Sequence, residues 1–297
     1  MKRRVFLTTA AATAGAVLAN HHGEKKSTGD DSSLYLSLKD GMIGGGGSLE
    51  EKYGLVKELG YDGVELSVPK RENLEQAVAA SKKVGLPIHG SVNSVHWSIK
   101  MSSPDETERT KAVEAMKTCL METHQAGGSS VLLVPGVAGG KVTQKAAWER
   151  SIVEIQKCLP LASKLGLHIL IENVWNGMFY DPKGPNTQSA DRLKNYLDEI
   201  DSPWVGSYFD IGNHQRFGKP AEWIKTLGRR IVKLDVKDWG IKGGFGKIGE
   251  GDVDWPAVRA SLKEIGYSGW ATAEVGGGKK DRLAEVLQNM RLHLLGK

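Results

Sequence analysis

The sequence predicts an α/β protein built as a single (β/α)8 TIM barrel. Two observations carry this. Eight short apolar runs of strand character alternate with eight helix-like runs, which is the pattern of a parallel sheet, and eight strands close a barrel. Several of the later strands also interrupt their alternation with an inward carboxylate near the C-terminal end, where this fold keeps its chemistry. A doubly wound open sheet is the alternative that the same alternation allows.

In chain order the expected strands are 34–38, 63–68, 87–92, 130–135, 168–174, 205–210, 231–237 and 270–275. The expected helices are 49–59, 73–84, 107–126, 144–165, 188–200, 221–227, 255–265 and 281–295. Ser48 with Glu51 reads as a capping box, and Asp254 as the N-cap before "WPAVRASLKEIG". Gly60, Gly85, Gly166 and Gly266 fall where a helix end wants a left-handed residue. The barrel domain is expected over 33–297.

The segment before it has a different grammar. "MKRRVFLTTAAATAGAVLAN" joins a basic head to a short body of small apolar residues, and Arg3-Arg4 followed by Phe6-Leu7 resembles a twin-arginine export signal. Residues 1–19 are therefore expected to be a signal peptide, 20–32 a polar flexible tether, and the protein to be exported to the periplasm without stable membrane insertion. The net charge is +5, and Lys2, Arg3 and Arg4 account for three of it. What remains gives no electrostatic footprint for nucleic acid. Cys119 and Cys158 lie in helical runs and suggest no disulfide.

The stretch "IVKLDVKDW" (Ile231 to Trp239) poses the central problem. Its alternation turns Val232, Leu234 and Val236 toward the helices and points Lys233, Asp235 and Lys237 into the barrel. The same parity argument turns Glu172, Asp210 and Glu274 inward on "LHILIENV", "VGSYFD" and "WATAEV", and Glu65 inward on "DGVELSV". Glu172, Asp210, Asp235 and Glu274 should thus converge at the barrel's C-terminal mouth. Carboxylates so close repel one another unless some stay protonated, pair with lysines, or hold a cation. All-oxygen donors suit Mg²⁺ or Mn²⁺ better than Zn²⁺.

At these residues the chain resembles the sugar phosphate isomerase/epimerase family, the xylose isomerase-like TIM barrels. The motifs are "LGYDGVEL", "IENVWN", "YFDIGNH", "IVKLDVKD", "GEGDVDW" and "GYSGWATAEV". The resemblance implies a divalent metal held by Glu172, Asp210 and Glu274. A fourth ligand, commonly histidine in the family, falls on Asp235. It also implies that Glu172 and Glu274 shuttle a proton beside a carbonyl through an enediolate, in a metal-dependent isomerase or epimerase. The expected substrate is a non-phosphorylated keto sugar, a small-molecule carbohydrate. A lyase that β-eliminates 3-keto-glycosides and a non-catalytic sugar-binding relative are the alternatives, and a homo-oligomer is left open.

Further candidates for substrate contact are His89 on the third strand and His96 in the loop beyond it. Trp175, Asn176, Asn213, His214, Lys237 and Trp239 follow their strands at the mouth, with Glu65 on the inward side of the second strand. Aromatic planes beside a metal suit a sugar's C–H face. His214 is a second source of the imidazole that Asp235 replaces. "GMIGGGGS" (Gly41–Ser48) reads as a mobile first loop, and Gly276–Lys280 reads either as a phosphate cradle or as a connecting loop.

Overall fold

A computed structural model describes residues 34–297. The expected signal peptide (1–19) and tether (20–32) lie outside the described residues. Barrel strands β1 (Leu34–Lys39), β2 (Gly63–Val68), β3 (Ile88–Asn93), β4 (Ser130–Leu133), β5 (His168–Glu172), β6 (Val205–Asp210) and β7 (Ile231–Val236) run parallel. A short hairpin, β8 (Asp238–Gly240) and β9 (Gly244–Gly246), rises from the end of β7. The eighth barrel strand, β10 (Gly269–Ala273), closes the ring in the order β1-β10-β7-β6-β5-β4-β3-β2.

The helices between the strands are α1 (Leu49–Leu59), α2 (Leu74–Val84), α3 (Glu106–Ala126), α4 (Gln144–Gln156) and α5 (Leu159–Leu165). They continue with α6 (Asp191–Ile200), α7 (Pro220–Leu227), α8 (Trp255–Glu264) and α9 (Lys280–Asn289). The Ser48 side chain accepts from the Glu51 N–H and the Glu51 carboxylate from the Ser48 N–H, so the capping box is formed. Asp254 caps α8 through the Ala257 N–H. Each cap satisfies donors that the first helical turn leaves bare, worth about 1 kcal/mol. Among the described residues no helix is long and apolar enough to cross a membrane. Cys119 and Cys158 are buried free thiols.

Several boundaries differ from the sequence expectation, each for a local reason. The helix expected over 144–165 is two, α4 and α5, because Pro160 at the second start lacks the N–H that a continuous helix needs. The alternation of β7 is broken by a register shift between Ser207/Tyr208 and Ile231/Lys233. Such a bulge inserts one residue and turns two neighbours to the same side. Val232 therefore does not face the helices. It packs on the interior cluster of Leu132, Leu170 and Tyr208, while Lys233 also points inward.

The glycine runs bind each other rather than staying loose. The Gly44 N–H donates to the Gly278 carbonyl at 2.8 Å, and the Gly278 N–H donates to the Met42 carbonyl at 3.0 Å. A Cβ on Gly277 would stand 2.1 Å from the Met42 carbonyl oxygen. Glycine is required here so that the first and last loops can touch, and the first loop is tied down by this contact.

Candidate active site at the barrel mouth

The C-terminal ends of β5, β6, β7 and β10 bring Glu172, Asp210, Asp235 and Glu274 together, each offering an oxygen within 4.8 Å of the others. The first three are buried, and Glu274, one residue beyond its strand, is partly exposed. Strand parity and the barrel's closure are sufficient to cause this convergence.

Two lysines stand among the carboxylates. Lys39, at the end of β1, places its ammonium 3.0 Å from Asp235 Oδ2, 3.1 Å from Glu274 Oε1 and 3.8 Å from Glu65 Oε2. Lys237 lies 3.1 Å from Asp210 Oδ2 and 2.5 Å from Glu274 Oε2. Asp235 thus pairs with Lys39, and not with either lysine of its own strand.

The surroundings pull the acids apart. Burial and the negative charge of Glu274 raise the Glu172 carboxyl well above the usual range. Burial raises Asp210 to about 7 against the pull of Lys237. It also raises Asp235 well above the usual range, against Lys39. Burial works the same way on Glu274, but the two ammonium groups outweigh it and hold its pKa at about 2. Burial opposes the charge of Lys39, and the acids around it nonetheless raise its pKa well above the ordinary lysine value.

These residues fit a divalent cation. Asp210 Oδ2, Asp235 Oδ1 and Glu274 Oε2 are buried and accept no hydrogen bond, although Lys237 stands beside two of them. A buried carboxylate oxygen without a donor is costly unless something positive completes it. The charge count agrees. Fully ionised, Glu65, Glu172, Asp210, Asp235 and Glu274 exceed the ammonium groups of Lys39, Lys233 and Lys237 by two negative charges, an excess that either a divalent cation or protonation of the acids raised by burial relieves. The acidic cluster therefore suggests a divalent metal.

Above the acids opens a cavity of about 250 Å³ lined by Val92, His96, Trp97, Glu172, Val174, Trp175, Asn213, Lys237, Phe245 and Glu274. His96 Nδ1 accepts from the Val134 N–H at 3.2 Å, so the neutral ring carries its proton on Nε2. Burial lowers its pKa to about 3 and keeps it neutral. Asn213 donates its amide to Glu172 Oε1 at 3.2 Å, and its backbone N–H to Asp210 Oδ1 at 2.6 Å. The Trp175 indole donates to the Asn213 carbonyl, and its ring meets Phe245, Trp239 and Phe217 with Arg216 at 5.0 Å.

Five expected substrate contacts stand outside the cavity lining. His89 lies deeper in the barrel, with Nε2 on Ser37 Oγ at 2.9 Å, Nδ1 on the Lys233 ammonium at 2.9 Å and its ring stacked on Trp270. Both of its nitrogens are spent. Asn176 is turned into its own loop, donating to the Gly136 carbonyl and accepting from the Met178 N–H. His214 is buried against Trp223 with Nδ1 at Asn173, outside the cavity lining, so it does not supply the imidazole absent at position 235. Glu65 is fully buried under the mouth, where it accepts from the Tyr208 hydroxyl at 3.0 Å. Trp239 reaches the site only through Trp175.

Three residues at the site escaped the sequence reading. Lys39 had a signal, since Tyr35, Ser37 and Lys39 share the inward parity of β1, but the strand was expected to stop at Leu38. Phe245 lines the cavity from a hairpin whose short strands carry no alternation. Asp238 holds that hairpin's base: its carboxylate accepts from the N–H groups of Trp239 and Gly249 and from the Trp255 indole.

A second cavity of about 480 Å³ shares Lys237, Phe245 and Glu274 and continues toward Lys247 and Arg282. Both of those cations are already paired with Glu285, at 2.6 and 2.7 Å.

Known proteins share this fold. The chain is 26% identical over 230 residues to the L-ribulose-5-phosphate 3-epimerase UlaE of Salmonella heidelberg (strain SL476), covering 72% of this chain and 78% of that protein. Its fold superimposes on an L-ribulose 3-epimerase with a TM-score of 0.74 at 15% identity, covering 89% of this chain and 95% of the other. It also superimposes on the IOLI protein, whose structure carries a zinc atom, with a TM-score of 0.73 at 16% identity and coverage of 88% and 98%. Residues 54–293 match the family profile of the xylose isomerase-like TIM barrels. The chain belongs to that family.

Proposed function

We propose that this protein is an epimerase or isomerase of a non-phosphorylated keto sugar, working with Mn²⁺ or Mg²⁺ held by Glu172, Asp210, Asp235 and Glu274. The observation that carries this reading is the four-carboxylate cluster, with a buried Asp235 oxygen that accepts no hydrogen bond, at the base of a cavity walled by aromatic rings. When bound, the ion polarises the sugar's carbonyl and makes the adjacent C–H more acidic. The all-oxygen donor set favours hard ions, and Asp235 in place of a histidine adds to that preference.

The chain's own residues then move the proton. Glu172 and Glu274 both line the cavity from separated strands. One removes the proton next to the carbonyl and the other returns one to the opposite face of the enediolate, which inverts that carbon. Trp97, Trp175 and Phe245 offer apolar planes to the sugar's C–H face and keep water from the reacting carbon. The Nε2–H of His96 and the amide of Asn213 are placed to hold hydroxyls.

Two features support a substrate without phosphate. Lys247 and Arg282 share Glu285, with Glu250 3.9 Å from Lys247, and the N–H groups of Gly44 and Gly278 are taken up by carbonyls of the facing loop. The export signal read at residues 1–19 points the same way.

Incubation of the protein with Mn²⁺ and a panel of keto sugars in D2O tests this. The expected result is an epimer that carries deuterium at the carbon beside the carbonyl, with turnover abolished by EDTA. Turnover of sugar phosphates alone would refute the substrate class. A product of split mass would mean β-elimination, and full activity in EDTA would remove the metal.

A further inference from the structure

Lys39 is the one cation that touches both Asp235 and Glu274 among the described residues. It enters from β1, on the far side of β10 from β7. Each of these acids has one oxygen on Lys39; the second oxygen of Glu274 is paired with Lys237, and the second oxygen of Asp235 is buried and accepts no hydrogen bond. Lys233, the neighbouring cation on β7, cannot take this place, because it donates to His89 Nδ1 at 2.9 Å and to the His89 carbonyl at 2.7 Å. Lys237 stands on the other side of Glu274, 2.5 Å from its Oε2 and 3.1 Å from Asp210 Oδ2, and is not paired with Asp235.

We infer that Lys39 is a positioning residue that keeps the acid cluster assembled and competes with the divalent ion for Asp235 and Glu274. This rests on the metal site proposed above. An ammonium at 3 Å neutralises the oxygens that an ion would draw on, and two cations around one set of carboxylates repel each other. Paired with Lys39, Asp235 contributes no net charge, as a neutral imidazole would contribute none. The site can therefore carry a carboxylate at position 235 without gaining a full negative charge. The consequence is an ion held less tightly than four carboxylates alone would hold it.

Calorimetric titration of Mn²⁺ into the purified full chain and its Lys39→Met, Lys39→Gln and Lys39→Arg variants tests this, alongside thermal melting in EDTA. The two neutral variants should bind Mn²⁺ about 10–100-fold more tightly, the range typical of groups just outside a metal's ligands. They should melt lower than wild type in EDTA, and saturating Mn²⁺ should close that gap. Lys39→Arg should bind like wild type. If Lys39→Met is unfolded, Lys39→Gln decides alone.

Equal or weaker binding by the neutral variants, with wild type still binding, overturns the role of Lys39 and leaves the metal site standing. Binding by the neutral variants but not by wild type upholds the competition and removes the ion from the wild-type enzyme. No binding by any variant overturns both readings.

Discussion

The barrel interior has two polar regions built by the same strands, and they differ in whether their groups are paired. In the lower region His89, Ser37, Thr272, Tyr208 and Lys233 form a chain of hydrogen bonds of 2.7–3.4 Å, and each finds a partner. In the upper region Asp210, Asp235 and Glu274 each keep a buried oxygen that accepts no hydrogen bond; Lys237 stands beside those of Asp210 and Glu274, and among the described residues no cation pairs with that of Asp235. Glu65 joins the two, giving one oxygen to Tyr208 and turning the other toward Lys39. An inward polar side chain is therefore a poor sign of function by itself. Inward polarity that the protein leaves incomplete, at the strand ends, marks the place for a ligand.

The strongest test of this contrast replaces the two acids given to proton transfer. Glu172→Gln and Glu274→Gln should each lower kcat by about 10²–10⁴-fold, the usual contribution of a general acid or base. Glu172→Gln should melt as before or higher, whereas Glu274→Gln takes a carboxylate from the ammonium groups of Lys39 and Lys237 and should melt lower. Deuterium exchange at the sugar carbon reads the effect directly. A variant that loses stability and keeps its exchange rate would place that glutamate with the structural groups.

The lower region should respond in the opposite way. Lys233→Met strips the donor from two buried acceptors of His89, at roughly 1–3 kcal/mol each, so urea unfolding should show a large loss of stability. Its Mn²⁺ affinity should move far less than that of Lys39→Met. An equal shift in affinity would erase the boundary between the regions.

His214 lies between these cases, with Nδ1 engaged and a buried Nε2 that has no partner. Burial lowers its pKa to about 3, so the folded state holds it neutral while the unfolded chain binds a proton below about 6.5. The unfolded state then holds more protons, and stability falls as pH drops from 6.5 toward 3. Relative to His214→Gln, wild type should lose about 2 kcal/mol between pH 7 and pH 5 in paired urea titrations. The absence of that difference would mean that the ring titrates normally and belongs to the open mouth.

Much of this was legible from residue spacing. The strands, the capping box at Ser48 and the inward turn of Glu172, Asp210, Asp235 and Glu274 all follow from local rules. Alternation alone turns Val232 toward the helices, because the bulge in β7 depends on how that strand registers against β6. Their positions on strands and in the loops beyond them point His89, Asn176 and His214 toward the substrate. The hydrogen bonds that engage them come from groups such as Lys233, Gly136 and Asn173, whose proximity the spacing does not reveal.

The sequence by itself determined which side chains enter the barrel, because a strand repeats every two residues and that parity needs no knowledge of the neighbours. Only the tertiary structure decided which of them are paired. Asp235 meets Lys39 across 196 residues of chain, and Glu65 meets Tyr208 across 143. Closing the barrel sets these partners side by side, and an ion pair depends on a separation of a few ångströms that no local pattern encodes.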